Sequence, residues 1–317
     1  MLQNKLSVFV GICLLAMMAV SCTKYLDYEG EDAPPRLVVN GLMQADSNFT
    51  VELSNSLGFI DIGEIQSLEN GRVAVFDEEG NFVDSLLHQG DGRYRGNAVA
   101  EANERYTVRA VADAFPEAYA TDMVPLPVPI VSWDTLFSPT DEFGSGTETL
   151  TLSFNIDDPE GIDNFYLFDI LSTQEYYVQP FFDNQGNIVG YDTIYIENPS
   201  EYSLCFETSD QILINENDLF VGETTFYSCN LLFSDRLFDG QNQRFSVRLD
   251  YFQPSVSLVL RLSSISEDYY QYSRTLQRYD YAEGDPFAEP VQVFTNMNGN
   301  ALGIWGGSST SETKIDF

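Results

Sequence analysis

Apolar and polar residues alternate with a period of two in the part of the chain that follows Pro35. The clearest runs are Phe49–Leu53 and Tyr106–Ala112, and this period is typical of a strand with one buried face. The turn residues Asp77–Gly80 separate two such runs and predict a β-hairpin. The predicted strands are Arg36–Leu42, Phe49–Leu53, Gly71–Phe76, Asn81–Leu87, Arg93–Arg95, Tyr106–Ala112 and Ala118–Met123. Short strands at this spacing predict a β-sandwich of immunoglobulin or transthyretin-like type.

A second β-rich part follows Pro125, Pro127 and Pro129, which make a stiff extended connector. Its opening pattern is typical of a fibronectin type III domain, and the irregular middle from Glu175 to Thr225 indicates insertions. The predicted features are strands at Thr149–Ile156, Phe165–Leu171, Arg244–Phe252 and Ser255–Leu262, a hairpin tip at Asp183–Asn187, and late strands at Val291–Phe294 and Ala301–Trp305. The fold class is therefore mainly β, with two sandwich-like domains.

One α-helix is predicted near the end of the chain. Ser264–Glu267 matches a capping box, and Gly284–Pro286 ends the pattern. Four residues recur at helical spacing on one face: Tyr269, Tyr272, Leu276 and Tyr279. We interpret this face as packed on a sheet, with an aromatic binding platform as the alternative.

These patterns divide the chain into five segments. The predicted segments are a signal peptide at 1–21, a lipidated acidic tether at 22–35, an N-terminal β-sandwich at 36–124, a proline-rich linker at 125–130, and a C-terminal β-rich domain at 131–317 with its helix at 265–281.

The first 21 residues predict export. Lys5 precedes the uncharged, mostly apolar run Leu6–Val20, which has the length of a secretory signal and is short for a bilayer-spanning helix. Ala19–Cys22 resembles the lipobox of bacterial lipoproteins, in which the cysteine thiol takes a diacylglycerol. We therefore predict lipidation at Cys22. The alternative is an ordinary secretory signal cut near Ser21.

The segment after Cys22 is acidic and has no core pattern, which predicts a solvated tether. It also resembles the acidic signal that sends Bacteroidota lipoproteins to the outer face of the outer membrane. A plain spacer is the equal alternative.

Composition limits the partners. The chain is 44% hydrophobic and 14% aromatic, which is enough for packed cores. Its formal net charge of −34 argues against nucleic acid, because nucleic-acid binding needs a basic surface. We expect no nucleic-acid partner.

Cys205 and Cys229 remain as an even pair once Cys13 leaves with the signal and Cys22 is lipidated. Export to an oxidising compartment favours a disulfide between them. Two separate buried thiols are the alternative.

No catalytic motif stands out. His88 is the only histidine, so a site with several histidine ligands is impossible, and we interpret His88 as a surface or packed residue. The chain contains no nucleophile elbow, zinc-protease motif or phosphate-binding loop. We predict no enzyme activity, catalytic residues, metal or cofactor. A hydrolase that uses two carboxylates is the weaker alternative.

One acidic turn offers oxygen ligands for Ca²⁺. It contains Asp157, Asp158, Glu160 and Asp163, but their spacing does not match an EF-hand loop. We interpret it as a solvated turn.

Several short motifs together resemble one known family, the Bacteroidota lipoproteins that carry domain of unknown function 4249. The motifs occur in family order: Cys22, Arg36–Leu42, Asp77–Gly80, Gly92–Tyr94, Asp268–Tyr270, Asp285–Pro290, Asn298–Gly299 and Gly303–Gly307. Family members have phenylalanine where Trp305 stands. The resemblance implies an accessory lipoprotein of a TonB-dependent outer-membrane transporter, and it supplies no catalytic residue.

We therefore expect a lipid-anchored outer-membrane protein, on the cell-surface side, that binds a ligand or a transporter during nutrient uptake. A structural or adhesion protein of the envelope is the alternative. The predicted contact surface is the aromatic, polar middle of the chain: Tyr176, Tyr177, Phe181, Phe182, Tyr191 and Tyr195.

Overall fold

A computed structural model describes residues 34–58, 64–139, 148–174, 176–183, 185–197, 199–217, 225–252, 256–282 and 288–317. Apart from Pro34 and Gly58, these residues belong to one compact unit. The predicted signal peptide, Cys22 and nearly all of the predicted tether lie outside the described residues. The helix-ending turn Gly284–Pro286 lies outside them as well.

All seven strands predicted in the first part of the chain are confirmed. Their burial alternates as the sequence alternates: in the first strand Val39, Gly41 and Met43 are buried. The strands are β1 Leu37–Gln44, β2 Asn48–Asn55, β3 Arg72–Phe76, β4 Phe82–Gly90, β5 Arg93–Val99, β6 Arg105–Val111 and β7 Ala118–Met123.

The second part contains twelve more strands among the described residues. They are β8 Ile130–Pro139, β9 Glu148–Asp157, β10 Phe165–Gln174, β11 Tyr176–Phe182, β12 Ile188–Tyr195, β13 Glu201–Leu204, β14 Phe206–Thr208, β15 Phe226–Ser228, β16 Asn230–Ser234, β17 Asn242–Phe252, β18 Val256–Ile265 and β19 Leu302–Ile315. The predicted strand at Val291–Phe294 is wrong. That segment is coil beside a helix, where the Phe294 amide donates to Thr275 Oγ1 at 2.8 Å.

One large sheet runs through both parts, in the order β13-β10-β18-β19-β1-β2-β5-β4-β3-β6-β7, with β16 also paired to β10. A five-stranded sheet has the order β15-β14-β17-β9-β8. It packs against β10, β16 and β18 of the large sheet. The long strand β19 makes the connection. Its first half pairs in parallel with β1, and its second half pairs antiparallel with β18.

Two large buried clusters form the core. The first cluster is built from β1 to β7 and also contains Met297, Ala301 and Trp305 from the far end of the chain. The second cluster contains stacked Phe154 and Phe168, whose ring centroids are 4.3 Å apart across the two sheets of the second half. The end of the chain therefore completes the first core. The predicted domain boundaries themselves stay a prediction.

The proline-rich segment passes from one core to the other. Val124 is buried in the first cluster and Val128 in the second. The Val128 amide donates to Ser264 Oγ at 3.1 Å, so Ser264 holds this segment rather than capping a helix.

The predicted C-terminal helix is confirmed as α2, Glu267–Ala282, and a short helix α1, Gln211–Asn217, was not predicted. The predicted capping box is wrong by two residues. Ser266 caps α2, because its Oγ accepts the Tyr269 amide at 3.3 Å. Neither described helix is both long and apolar enough to span a bilayer.

Candidate functional site

A groove of about 790 Å³ lies between helix α2 and the outer face of the large sheet. Side chains of α2 form one wall, and polar-face side chains of the strands form the floor. From the helix come Tyr269, Tyr272, Ser273 and Leu276; from the strands come Asn40, Leu42, Thr50, Glu52, Gln89, Arg93, Arg95 and Ile304. This volume lies within the roughly 300–1,000 Å³ usual for small-molecule sites.

Strand register arranges part of the floor in one row. Ile304 pairs with Asn40, Asn40 pairs with Glu52, and Glu52 pairs with Arg93, across β19, β1, β2 and β5. Three inter-strand steps of roughly 4.8 Å make this row about 14 Å long. The floor therefore changes from apolar at Ile304, through an amide, to an acid–base pair at Arg93.

Close packing fixes the helix above β19. A Cβ on Gly306 would lie 2.8 Å from the Tyr269 Cβ, so only glycine allows the helix this close. Tyr270 is fully buried, with its ring centroid 4.8 Å from that of Phe165. Tyr270 therefore anchors the helix, although it lies off the predicted aromatic face. The predicted residues Tyr269, Tyr272 and Leu276 line the groove, and Tyr279 is exposed.

The start of α2 is tied to the sheet by a buried polar cluster. Ser266 Oγ donates to Asp122 Oδ2 and accepts the Gly307 amide at 3.1 Å. Asp122 is 7% exposed, and burial raises its pKa to about 6 despite that hydrogen bond. This perturbed carboxyl positions the helix and does not line the groove.

Two arginines make the charged end of the groove. Arg93 Nε donates to Glu52 Oε1 at 3.1 Å. Arg95 Nη2 donates to Asn48 Oδ1 at 2.9 Å and has no carboxylate partner within the described chain. Desolvation raises the pKa of Tyr269 and of Tyr272, so both side chains remain neutral phenols at physiological pH. Because its only described acceptor is a neutral amide oxygen, the Arg95 guanidinium can form an ion pair with an anionic ligand.

All six residues of the predicted aromatic surface lie on the β11–β12 hairpin, and four of them are exposed. The exposed fractions are 49% for Phe181, 60% for Phe182, 66% for Tyr191 and 74% for Tyr195. Tyr176 is half-buried, with its ring centroid 5.9 Å from that of Tyr195. The side chain of Tyr177 lies outside the described part of the chain.

The hairpin stands apart from the two larger sheets. Among the described strands, β11 and β12 pair only with each other. The predicted tip at Asp183–Asn187 is confirmed, since the Asp183 amide donates to the Asn187 carbonyl at 2.8 Å. The Asn187 side chain donates to the Asp183 carboxylate, which also accepts the Asn187 and Gln185 amides, and these hydrogen bonds lower the pKa of Asp183. The turn at Asp77–Asn81 has the same arrangement.

Cys205 and Cys229 form a disulfide that connects the neighbourhoods of β14 and β16. The sequence predicts this pair, and in the structure Cys205 lies between β13 and β14 and Cys229 between β15 and β16. It does not line the groove.

Of the four acidic residues in the turn at 157–163, only Asp158 belongs to a cluster of carboxylates. Asp158 lies with Asp235 and Asp239, and one oxygen of each lies within 4.8 Å of the others. Asp157, Glu160 and Asp163 are exposed and do not join them. Burial is the largest cause that raises the pKa of Asp158 and of Asp235. These three carboxylates could hold a cation, but hydrogen bonds from Tyr166, Gly240 and Asn164 already serve two of them.

The groove itself was missed by sequence analysis. Its floor could have been recognised from Thr50, Glu52, Arg93 and Arg95, which occupy the polar positions of two alternating strands. Which strands are neighbours, and where the helix crosses them, are long-range facts. His88 is exposed on β4, 5.2 Å from the Tyr94 ring and outside the groove.

The fold and groove define a mainly β protein with a helix-walled surface cleft. The chain belongs to the family described as Domain of unknown function (DUF4249), whose model matches residues 23–314. No curated protein matches the chain.

Two solved structures are similar to the chain at a low level. One is a two fibronectin type III domain segment from chicken tenascin, at 12% identity and a TM-score of 0.19, covering 74% of this chain and 91% of that one. The other is the BSP domain of a biofilm associated protein, at 10% identity and a TM-score of 0.17, covering 94% of this chain and 62% of that one. At these scores neither structure informs function.

Proposed function

We propose that the chain is a lipoprotein of the outer membrane, anchored through Cys22 on the cell-surface side. There it acts as a binding or accessory partner of a TonB-dependent transporter in nutrient uptake. The exposed aromatic hairpin is the single observation that carries this proposal. Family membership and the export signal expected from the sequence agree with it.

The hairpin has the properties of a protein-contact surface. A two-stranded sheet is marginally stable alone in water, so a hairpin that exposes Phe182, Tyr191 and Tyr195 gains stability when a partner covers these rings. Aromatic side chains provide large contact areas at little cost in conformational entropy, and tyrosine is enriched at interface centres. Tyr191 and Tyr195 lie four residues apart on one strand, and this even spacing places them on the same face.

The proposed role is not enzymatic. Glu52 is the only carboxylate among the described residues that line the groove, and none of them is histidine or cysteine. Glycoside hydrolysis by two carboxylates requires a second acid at the same site. We propose binding without chemical change as the role of the groove.

Anchoring is tested by cell fractionation of a Cys22→Ala variant. We expect the variant to leave the membrane fraction, while a Cys13→Ala variant, altered within the predicted signal, stays with it. Membrane retention of Cys22→Ala would contradict lipidation at this residue. Protease treatment of intact cells tests the side, and resistance of the wild-type chain would contradict surface exposure.

Partnership is tested by affinity isolation of the wild-type protein from outer membranes, followed by mass spectrometry. We expect one transporter β-barrel to be enriched over a mock isolation. Its absence from repeated isolations would contradict the transporter role.

A further inference from the structure

We propose that the groove beneath α2 binds a small amphipathic organic monoanion. Its acidic group pairs with Arg95, and its apolar body lies along the wall formed by Tyr272 and Leu276. This site is separate from the hairpin, and it is independent of the transporter partnership proposed above.

Charge identifies the acidic end of the ligand. The chain has 49 acidic and 15 basic residues, so a guanidinium that lacks a carboxylate partner stands out in this composition. Arg95 is such a group among the described residues, because only the neutral Asn48 amide oxygen accepts from it. Its remaining N–H groups can bind a carboxylate, sulfonate or phosphate in a forked geometry.

Glu52 limits the ligand to one negative charge. Its carboxylate lies on the same floor and already pairs with Arg93 at 3.1 Å. A second anionic group placed further along the floor would approach Glu52, and the described lining of the groove offers no cation there besides Arg93, which Glu52 already pairs. The groove therefore favours a monoanion over a dianion.

The other end of the groove selects an apolar body. Ile304 lies at that end of the floor row, and Leu42, Leu276 and the phenol rings of Tyr269 and Tyr272 add apolar surface to the lining of the groove. The floor row of about 14 Å matches a molecule of two fused or linked rings with an acidic substituent.

Two probes with one ring skeleton test this inference by fluorescence titration. 8-Anilinonaphthalene-1-sulfonate is a monoanion, and N-phenyl-1-naphthylamine has the same rings without the sulfonate. The full chain carrying Cys22→Ser avoids detergent, which would itself take up both probes. We expect the anionic probe to bind at one saturable site. Arg95→Gln should lower the affinity for this probe roughly tenfold or more and leave the affinity for the neutral probe unchanged.

Matched variants locate the binding. Arg109→Gln changes an exposed arginine on β6 outside the groove and should leave both probes unaffected. Ser273→Trp fills the groove and should weaken both, while Tyr191→Ser/Tyr195→Ser on the hairpin should weaken neither. Circular dichroism confirms that each variant is folded. Equal affinity for the anionic probe in wild type and Arg95→Gln, or no saturable binding at all, would overturn the inference.

Discussion

Trp305 Nε1 donates a hydrogen bond of 3.0 Å to the carbonyl oxygen of Tyr106. These residues are 199 positions apart, and Trp305 is fully buried in the core of the first β-sandwich. The Trp305 ring also meets Gly41, where an added Cβ would lie 2.6 Å from the ring. The first core is therefore completed only after nearly the whole chain has been made.

Substitution of Trp305 tests this dependence. Trp305→Phe removes the bond to Tyr106 and some packing, and it should lower the free energy of unfolding by ~1–2 kcal/mol. Trp305→Ala also leaves a cavity, and we expect ~3–5 kcal/mol. Chemical denaturation measures both. A loss below about 0.5 kcal/mol for Trp305→Ala would contradict the role of Trp305 as a core residue.

Asp122 should make stability depend on pH. Its folded pKa of about 6 exceeds the reference value of 3.8, so the folded state binds the proton more tightly than the unfolded chain. Stability from this group is therefore full below 3.8 and is lost as pH rises through about 6. A shift of about two units corresponds to at most ~3 kcal/mol.

Denaturation of Asp122→Asn at several pH values measures this contribution. In the wild type, the free energy of unfolding should fall between about pH 4 and about pH 7. The variant should not show this fall, because asparagine does not titrate. Asp113→Asn, an exposed control on the turn after β6, should keep the decline. Parallel curves for wild type and Asp122→Asn would contradict the assignment.

Like charges near Asp158 predict a stabilising substitution. Asp239→Asn keeps the acceptor of the Gly161 amide, at 2.8 Å, and removes one of three neighbouring charges. We expect the free energy of unfolding at pH 7 to rise by ~1 kcal/mol. Asp163→Asn, which lies outside the cluster, should have no such effect.

Ca²⁺ at millimolar concentration separates repulsion from cation binding at the same cluster. We expect the metal to change the melting temperature of wild type and of Asp239→Asn equally. A larger increase in wild type would mean that a cation stabilises the three carboxylates, and it would contradict the repulsion account.

The disulfide should stabilise the fold. Cys205→Ala/Cys229→Ala opens a loop with a sequence separation of 24, and the chain-entropy model gives a loss of ~3 kcal/mol. Denaturation with and without a thiol reductant measures it: the reductant should lower wild-type stability and leave the double variant unchanged. Insensitivity of the wild type to the reductant would contradict a formed bridge.

Local signals predicted local structure well. The strands from β1 to β7 and the helix α2 were found because alternation at period two or 3.6 depends only on neighbouring residues. Val291–Phe294 has strand composition but is coil, and the Phe294 amide donates to the Thr275 hydroxyl of α2. The cap moved to Ser266 because contacts with Gly307 and Asp122, distant in sequence, hold that hydroxyl.

The candidate sites also differ in whether local sequence or long-range contacts create them. The aromatic hairpin was predicted from composition. Aromatic residues in a segment without the periodicity of a core strand are expected at the surface. The groove was not predicted, because it exists only where β19 brings its neighbours beneath α2. The carboxylate cluster likewise joins Asp158 to residues near 235 rather than to its own turn.

In the role that we propose, the exposed rings of the β11–β12 hairpin bind the transporter. Quantitative co-isolation from outer membranes tests it with three forms of the lipidated chain: wild type, Phe182→Ser/Tyr191→Ser/Tyr195→Ser, and the control Phe82→Ser/Tyr119→Ser. The control removes exposed rings elsewhere on the surface. We expect wild type and control to recover equal amounts of one β-barrel transporter, and the hairpin variant to recover less than about a tenth, as for loss of an interface hot spot. Equal recovery by all three forms, or no β-barrel with any of them, would contradict binding of a transporter by the hairpin.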